Sequence, residues 1–437
     1  MSVLEIQLDG LPGPGHHYGG LAVGNLASEQ HAETVSHPRA AARQCLVKMQ
    51  AVAALGVPVY LLPPVPRPDR ALLRAIGCRG SDAELLAAAD PELLRIAWSS
   101  ASMWTANAAT LIPASDSADG RAHVVPANLL ATPHRCREAA IRARQLRAIL
   151  PAAEYRVHPP LPATPALADE GAANHTRLCG SDGRGCHLFV YGRRPGLSAE
   201  QLPQLRPARQ TRAAQRAVAR LAGLDPQQVH FARQHPAAID AGAFHNDVVM
   251  VGCADRLLLH AEALVDQAAV LAQLRAAVPG LQVFEVSAEQ LSLTATVQSY
   301  LFNSLLLNTE AGWHLLAPVE SQVAPARAVI DRMLDTGFIV AVSFVDLGQS
   351  MQGGGGPACL RLRVPATTCD GWPEALRLVP ERADALTAWI DTHYREHLSV
   401  ADLVDPALAA EADAAQAALG DVLALGPELL GMEAPPC

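Results

Sequence analysis

The 437-residue sequence has no excess of positive charge. Its 34 Lys and Arg face 43 Asp and Glu, a formal net charge of −9, so the basic face that nucleic acid requires is missing. It has no uncharged apolar run long enough to cross a bilayer, and the start, MSVLEIQLDG, lacks both the basic and the apolar region of a secretory signal; the expectation is a cytoplasmic protein that contacts neither membrane nor nucleic acid. Its nine cysteines are scattered without a CxxC pair, which argues against a zinc ribbon and a disulfide framework. No GK[ST] follows the tetraglycine run Gly353–Gly356 and no HExxH occurs, so neither a phosphate loop nor a zinc protease is indicated.

What is present is an ordinary globular composition, 50% hydrophobic and 18% charged, ample for a large core. The one locally basic run, Arg135 to Arg147, is spaced around Ile141, Leu146 and Leu150 and reads as a helix with an apolar face and its arginines in water.

Short strands and helices alternate along the chain. Helices are expected over 39–55, 211–221, 295–307 and 324–334. Strands are expected at VPVYLLPP, over 186–192, 247–252, 281–287 and 339–347, and at ACLRLRV (358–364). The class is α/β or α+β. The proline-rich loops at 63–68 and 159–165 mark no lasting change of composition, so no domain boundary is placed. The segment from Pro380 to Leu430 is helical by pattern and is expected to pack on the outside of a single catalytic domain spanning 1–437.

Several segments carry residues suited to chemistry. In GQSMQGGGGPACLRLRV, Cys359 follows a glycine–proline turn at the mouth of a strand, where glycines allow close backbone approach and the strand fixes the sulfur; a buried apolar cysteine is the alternative. AIDAGAFHNDVVMVG sets His245 and Asp247 before an apolar strand. On an extended chain the two side chains share a direction and suit proton transfer beside a cation, although such a tripeptide also fits a plain turn. In LADEGAANHTRL, Asp169 and Glu170 either orient an imidazole or cap a helix beginning at Ala172. The loop YGGLAVGNLAS is able to wrap a polar ligand or to be only a loop.

Together with SHPRAAARQCLVKM, MWTANAAT, LFVYGR, PARQT and SYLFNSLLL, these segments run in register over residues 9 to 364 and resemble the N-succinylarginine dihydrolase family. The resemblance implies a pentein fold of the guanidino-modifying superfamily, an α/β propeller of five ββαβ modules about a pseudo-fivefold axis. It also implies a cofactor-independent hydrolase that takes N-succinylarginine to N-succinylornithine, and a homodimer. It assigns Cys359 as nucleophile, His245 as proton carrier and Glu170 as its partner. Substrate contacts are implied for Gly19, Gly20, Leu21, Ala22, Val23, Gly24, Asn25, Leu26, Ala27 and Ser28, and for Asn107, His134, Arg135, Arg209, Asp247 and Gly353. Gly353 stands where the family pattern has asparagine, and Gln352 is a possible source of the missing amide. A one-water deiminase or an amidinotransferase would use the same Cys and His. A metal-binding protein would have to use His16, His17 and His245, for which no ligand spacing is present.

Overall fold

The structure is a computed structural model and describes residues 4–19 and 22–432. Its strands form five separate three-stranded sheets, each with one antiparallel and one parallel pair. The simplest module runs β3 (Ala109–Ile112), antiparallel β4 (Ala122–Pro126), helix Ala139–Ile149 and then β5 (Tyr155–Val157), parallel to β4. A tight connection suffices for the antiparallel pair, whereas the parallel neighbour needs a crossover, here the helix.

The same order recurs three times. Strands β6 (His175–Cys179), β7 (Gly185–Tyr191) and β8 (Val229–Arg233) use helix Arg212–Leu221. Strands β9 (Met250–Cys253), β10 (Arg256–His260) and β11 (Gln282–Val286) use Gln267–Ala277. Strands β12 (Leu305–Thr309), β13 (Gly312–Pro318) and β14 (Ala341–Val345) use Ala326–Asp335. The remaining module joins the two ends of the chain. Strand β15 (Arg361–Ala366) lies antiparallel to β1 (Leu4–Gly10), with Leu362 opposite Leu8, and β1 runs parallel to β2 (Val59–Leu62) after helix Pro38–Ala54. This pairing closes a ring in which first strands of neighbouring modules touch: β15 with β3, β6 with β9, and β9 with β12. The five sheets are the expected α/β propeller.

Helix Pro38–Ala54 shows why a crossover forms. Proline occupies its first turn, and Ala42, Cys45, Leu46, Met49 and Val52 recur on one face and are buried against the sheet. At ~1.5–3 kcal/mol per large apolar side chain buried, that stripe outweighs the helix's weak intrinsic preference. Gly56, at φ +84°, turns the chain into the fully buried β2. Helix Pro380–His393 packs on Pro38–Ala54, and Pro406–Leu423 packs on Pro380–His393, where Trp389 donates to the carbonyl of Ala415 at 2.8 Å.

Four local expectations are corrected. The helix placed over 295–307 is a helix at Leu293–Ser299, a turn at Leu301–Asn303 and strand β12, because Tyr300 takes φ +50° and the apolar run LLL is buried sheet. The strand placed over 247–252 begins only at Met250; Asn246–Val248 is a 3-10 turn, so Asp247 does not lie on an extended chain. The strand after the tetraglycine run begins at Arg361, leaving Cys359 in the turn before it. In the basic run, Arg135 and Arg142 are 0% and 4% exposed, although Arg137, Arg144 and Arg147 do face water.

Candidate active site

Each module ends a connecting segment just before its first strand, and the residues implied in catalysis gather there. Asn107 precedes β3, Glu170 precedes β6, His245 and Asp247 precede β9, and Cys359 precedes β15. The remaining module contributes Asn303, just ahead of β12. Five strand starts around one axis thus bring together residues that lie far apart in sequence.

Glycine makes two of these turns possible. Gly171 has φ +68°, and a Cβ there would meet the backbone of Asn107 at 2.8 Å; Gly354 has φ +88°, where a Cβ would meet the Asn25 amide at 2.2 Å. The tetraglycine run is then pinned from three sides. Asn25 Nδ2 donates to the Gly353 carbonyl at 3.0 Å, and the Trp104 indole and Tyr300 hydroxyl donate to the Gly354 carbonyl at 3.3 and 3.2 Å.

Cys359 is 1% exposed. Its thiol lies 3.7 Å from Asp247 Oδ2 and accepts from Asn303 Nδ2 at 3.3 Å, while Asn303 Oδ1 accepts from the amides of Ala358 and Cys359 at 3.1 and 3.2 Å. Burial, and then the Asp247 carboxylate, hold the thiol well above its ordinary value; the Asn303 bond acts the other way. Burial likewise pushes Asp247 up to about 7. Its Oδ1 has no hydrogen-bond partner.

His245 and Glu170 are both 0% exposed and meet at 2.7 Å between Nε2 and Oε2. Burial pushes His245 down to about 4, more than Glu170 can restore, so the ring is neutral near pH 7. With Nε2–H given to Glu170, the Nδ1 lone pair remains, and that atom is buried without a partner. Glu170 Oε1 is also unpartnered. Burial raises the Glu170 carboxyl, but the His245 bond and then charges including Arg209 and Arg135 leave it below its ordinary value. Glu170 stands before the 3-10 turn Gly171–Asn174, but its side chain makes no capping bond to it; its neighbour Asp169 accepts from Gln210 Nε2 at 3.1 Å and from the Gly171 amide at 3.4 Å. Asn107 Nδ2 donates to the Glu170 carbonyl at 2.5 Å.

Two arginines complete the chamber. Arg135 lies over the Trp104 ring at 4.0 Å, and none of its three guanidinium nitrogens has a partner. Burial, then the charge of Arg209, lowers it to about 10, while Glu170 and Cys359 act in the opposite sense. Arg209, 4% exposed, lies over Phe244 at 4.8 Å and donates to the Val23 carbonyl at 2.6 Å, leaving Nη1 unpartnered. His134 is buried with Nδ1 unpartnered.

In the 19–28 segment, Gly20 and Leu21 lie outside the described residues. Gly19 and Gly24 have φ near +86° and +87°, and the Gly24 amide donates to Glu29 at 2.8 Å. Asn25 is fully buried and also caps helix Leu26–Gln30 through the Ser28 amide. Ala22 is buried, the Val23 side chain is 64% exposed, and Ser28 Oγ donates to the Tyr18 carbonyl at 2.8 Å. Leu26, Ala27 and Gln352 border an outer recess beside Phe244, and Gly353 contributes its carbonyl. His16 and His17 border another recess, and among the described residues no group of three or more His, Cys, Asp or Glu is arranged to hold a metal.

The family model for succinylarginine dihydrolase matches residues 2–429. The chain belongs to the succinylarginine dihydrolase family. It is 47% identical over 436 residues to the N-succinylarginine dihydrolase of Myxococcus xanthus, covering 97% of this chain and 98% of that one. It is 44% identical over 435 residues to the N-succinylarginine dihydrolase of Marinobacter nauticus, covering 97% of each. The substrate-bound N-terminal domain of ArgZ, a cyanobacterial arginine dihydrolase, superposes with a TM-score of 0.52 at 17% identity over 83% of this chain and 98% of that one, a likeness of fold.

Within this member of the dihydrolase family, Asn303 is the residue that sequence reasoning missed. Its segment SYLFNSLLL was noticed only as a resemblance, and the misplaced helix hid the asparagine at a strand start. The signal was positional: four modules already carried a polar residue there.

Proposed function

We propose that this chain hydrolyses N-succinylarginine with two waters to N-succinylornithine, two ammonia and carbon dioxide, through a covalent bond to Cys359. The observation that carries the reading is a buried cluster whose unpartnered groups complement that substrate. Asp247 and the free oxygen of Glu170 match a planar guanidinium, and the free guanidinium of Arg135 and half-free Arg209 match carboxylates.

A cation entering beside Asp247 offsets the forces that keep Cys359 a thiol, so nucleophile and substrate activate each other. His245 Nδ1 takes the thiol proton as the S–C bond forms and passes it to the departing nitrogen, which leaves as ammonia. Water then adds to the same carbon, its proton goes to His245, and the sulfur leaves and is reprotonated. A second round on the ureido product releases the second ammonia and a carbamate that loses carbon dioxide. Glu170 orients the ring throughout. Asn107 and the residues of 19–28 border the ligand. No cofactor enters these steps.

Counting ammonia per N-succinylornithine tests the reading. Two is the expected ratio; one, with N-succinylcitrulline accumulating, would make this a deiminase. The whole chain is taken as one catalytic unit acting in the cytoplasm as a homodimer, which the family resemblance supports; a monomeric mass by light scattering would remove the dimer.

A further inference from the structure

Asp247 is the most exposed member of this cluster: it is half-buried, whereas Arg209 is 4% exposed and Cys359, His245, Glu170 and Arg135 are all 1% exposed or less. What it borders is a cavity of about 190 Å³ on the propeller axis. Asp247 and Ala358 lie at the strand starts, Thr176, Arg177 and Arg361 along the first strands, and Cys179 at a strand end. At ~30 Å³ per water, this space holds several. Asp247, whose Oδ1 is buried and unpartnered, is part of its wall. From the other side the chamber is covered by Asn25, Trp104 and Arg209, all 5% exposed or less.

The chemistry creates a traffic problem. Each turnover admits two waters and releases three small molecules, yet between the two hydrolyses the succinyl-bearing intermediate still fills the side by which it entered. We propose that the axial cavity is a separate conduit by which water reaches the Cys359 carbon adduct, and by which ammonia and carbon dioxide leave, while the substrate occupies the front of the chamber. This rests on the hydrolysis proposed above.

The wall charges fit neutral traffic. Glu5 pairs with Arg363 at 3.1 Å and Asp116 with Arg177 at 2.5 Å, whereas Arg361, 8% exposed, makes no ion pair among the described residues and leaves Nε unpartnered. Away from Asp247, the charge of Arg361 opposes entry of a guanidinium from behind and the passage of ammonium, but not of water, ammonia or carbon dioxide.

The test fills the conduit without touching the chamber. Thr176→Trp narrows its middle and Cys179→Trp its outer end, with Cys179→Ser as the control. The proposal expects kcat to fall about tenfold or more with KM little changed, and N-succinylcitrulline to appear because the second water is delayed. Should either tryptophan variant not fold, N-ethylmaleimide attached to Cys179 of the folded protein, with N-succinylornithine protecting Cys359, plugs the same mouth, and Cys179→Ser treated alike subtracts labelling elsewhere. Folded, plugged protein that keeps parental kcat and releases two ammonia per N-succinylornithine overturns the conduit. A parent that does not hydrolyse N-succinylarginine overturns the function itself, and the two failures are distinguishable.

Discussion

Arg142 and Arg135 lie on neighbouring turns of chain and both are almost fully buried, yet their surroundings differ in kind. Arg142 belongs to a belt in which Glu138 takes both Arg67 and Arg142, the latter at 3.3 Å, and Arg142 also donates to the Pro63 carbonyl at 3.0 Å, Gln145 at 2.9 Å and Ser102 at 3.2 Å. Arg135 has a ring beneath it and no hydrogen-bond partner. Removing a charge from water costs several kcal/mol; the belt offsets that cost within the fold, and the chamber leaves it to be offset by a ligand. Buried charge is therefore structural where its partners are present and functional where they are missing.

The comparison breaks most visibly at the proposed nucleophile. Cys359→Ser should lower kcat by about 10⁴ or more and leave the melting temperature near the parent's, read by ammonia release and thermal unfolding together. Next is the belt: Arg142→Ala leaves Glu138 with Arg67 alone and strips the Pro63 carbonyl, Gln145 and Ser102 of a charged donor, and should cost roughly 2–3 kcal/mol in urea unfolding, whatever activity survives. Arg135→Met reverses that pattern. It should raise KM about 100-fold while leaving stability equal or higher, because an uncompensated buried charge is removed. A large loss of stability in Arg135→Met would erase the distinction drawn here.

Smaller effects sharpen it. Asn303→Ala should lower kcat about tenfold and move iodoacetamide alkylation of Cys359 to higher pH, since the bond that favours the thiolate is lost. Asp247 gives a pH signature. Burial raises its folded value from 3.8 to about 7, so the fold favours the protonated acid: this group's contribution to stability is fully present below 3.8 and is lost as pH rises from there through about 7. Asp247→Asn should flatten that part of the stability profile. In the parent, kcat/KM should fall as pH drops below about 7, where the guanidinium loses its carboxylate partner.

Local chemistry was readable where a turn and its residue are adjacent in sequence. Cys359 behind its glycines, Glu170 before Gly171, and the apolar stripe of Pro38–Ala54 all follow from spacing or resemblance. The fivefold order was not readable, because the modules share geometry and not residues, and one of them is assembled from β15 and β1 at opposite ends of the chain. Arg135 shows a different limit. Helical periodicity assigns arginines to water, and only the closing of the ring places this one over Trp104. The run through Asn303 failed because a short apolar segment fits helix and strand equally, and Tyr300 decides between them by its backbone angle.

The most direct measurement is mass spectrometry of the protein quenched during turnover of N-succinylarginine. The account predicts a substrate-derived carbon adduct on the peptide carrying Cys359, formed and lost at the rate of ammonia release. Full turnover with that peptide unmodified at every time point, or with the adduct on another cysteine, would contradict it.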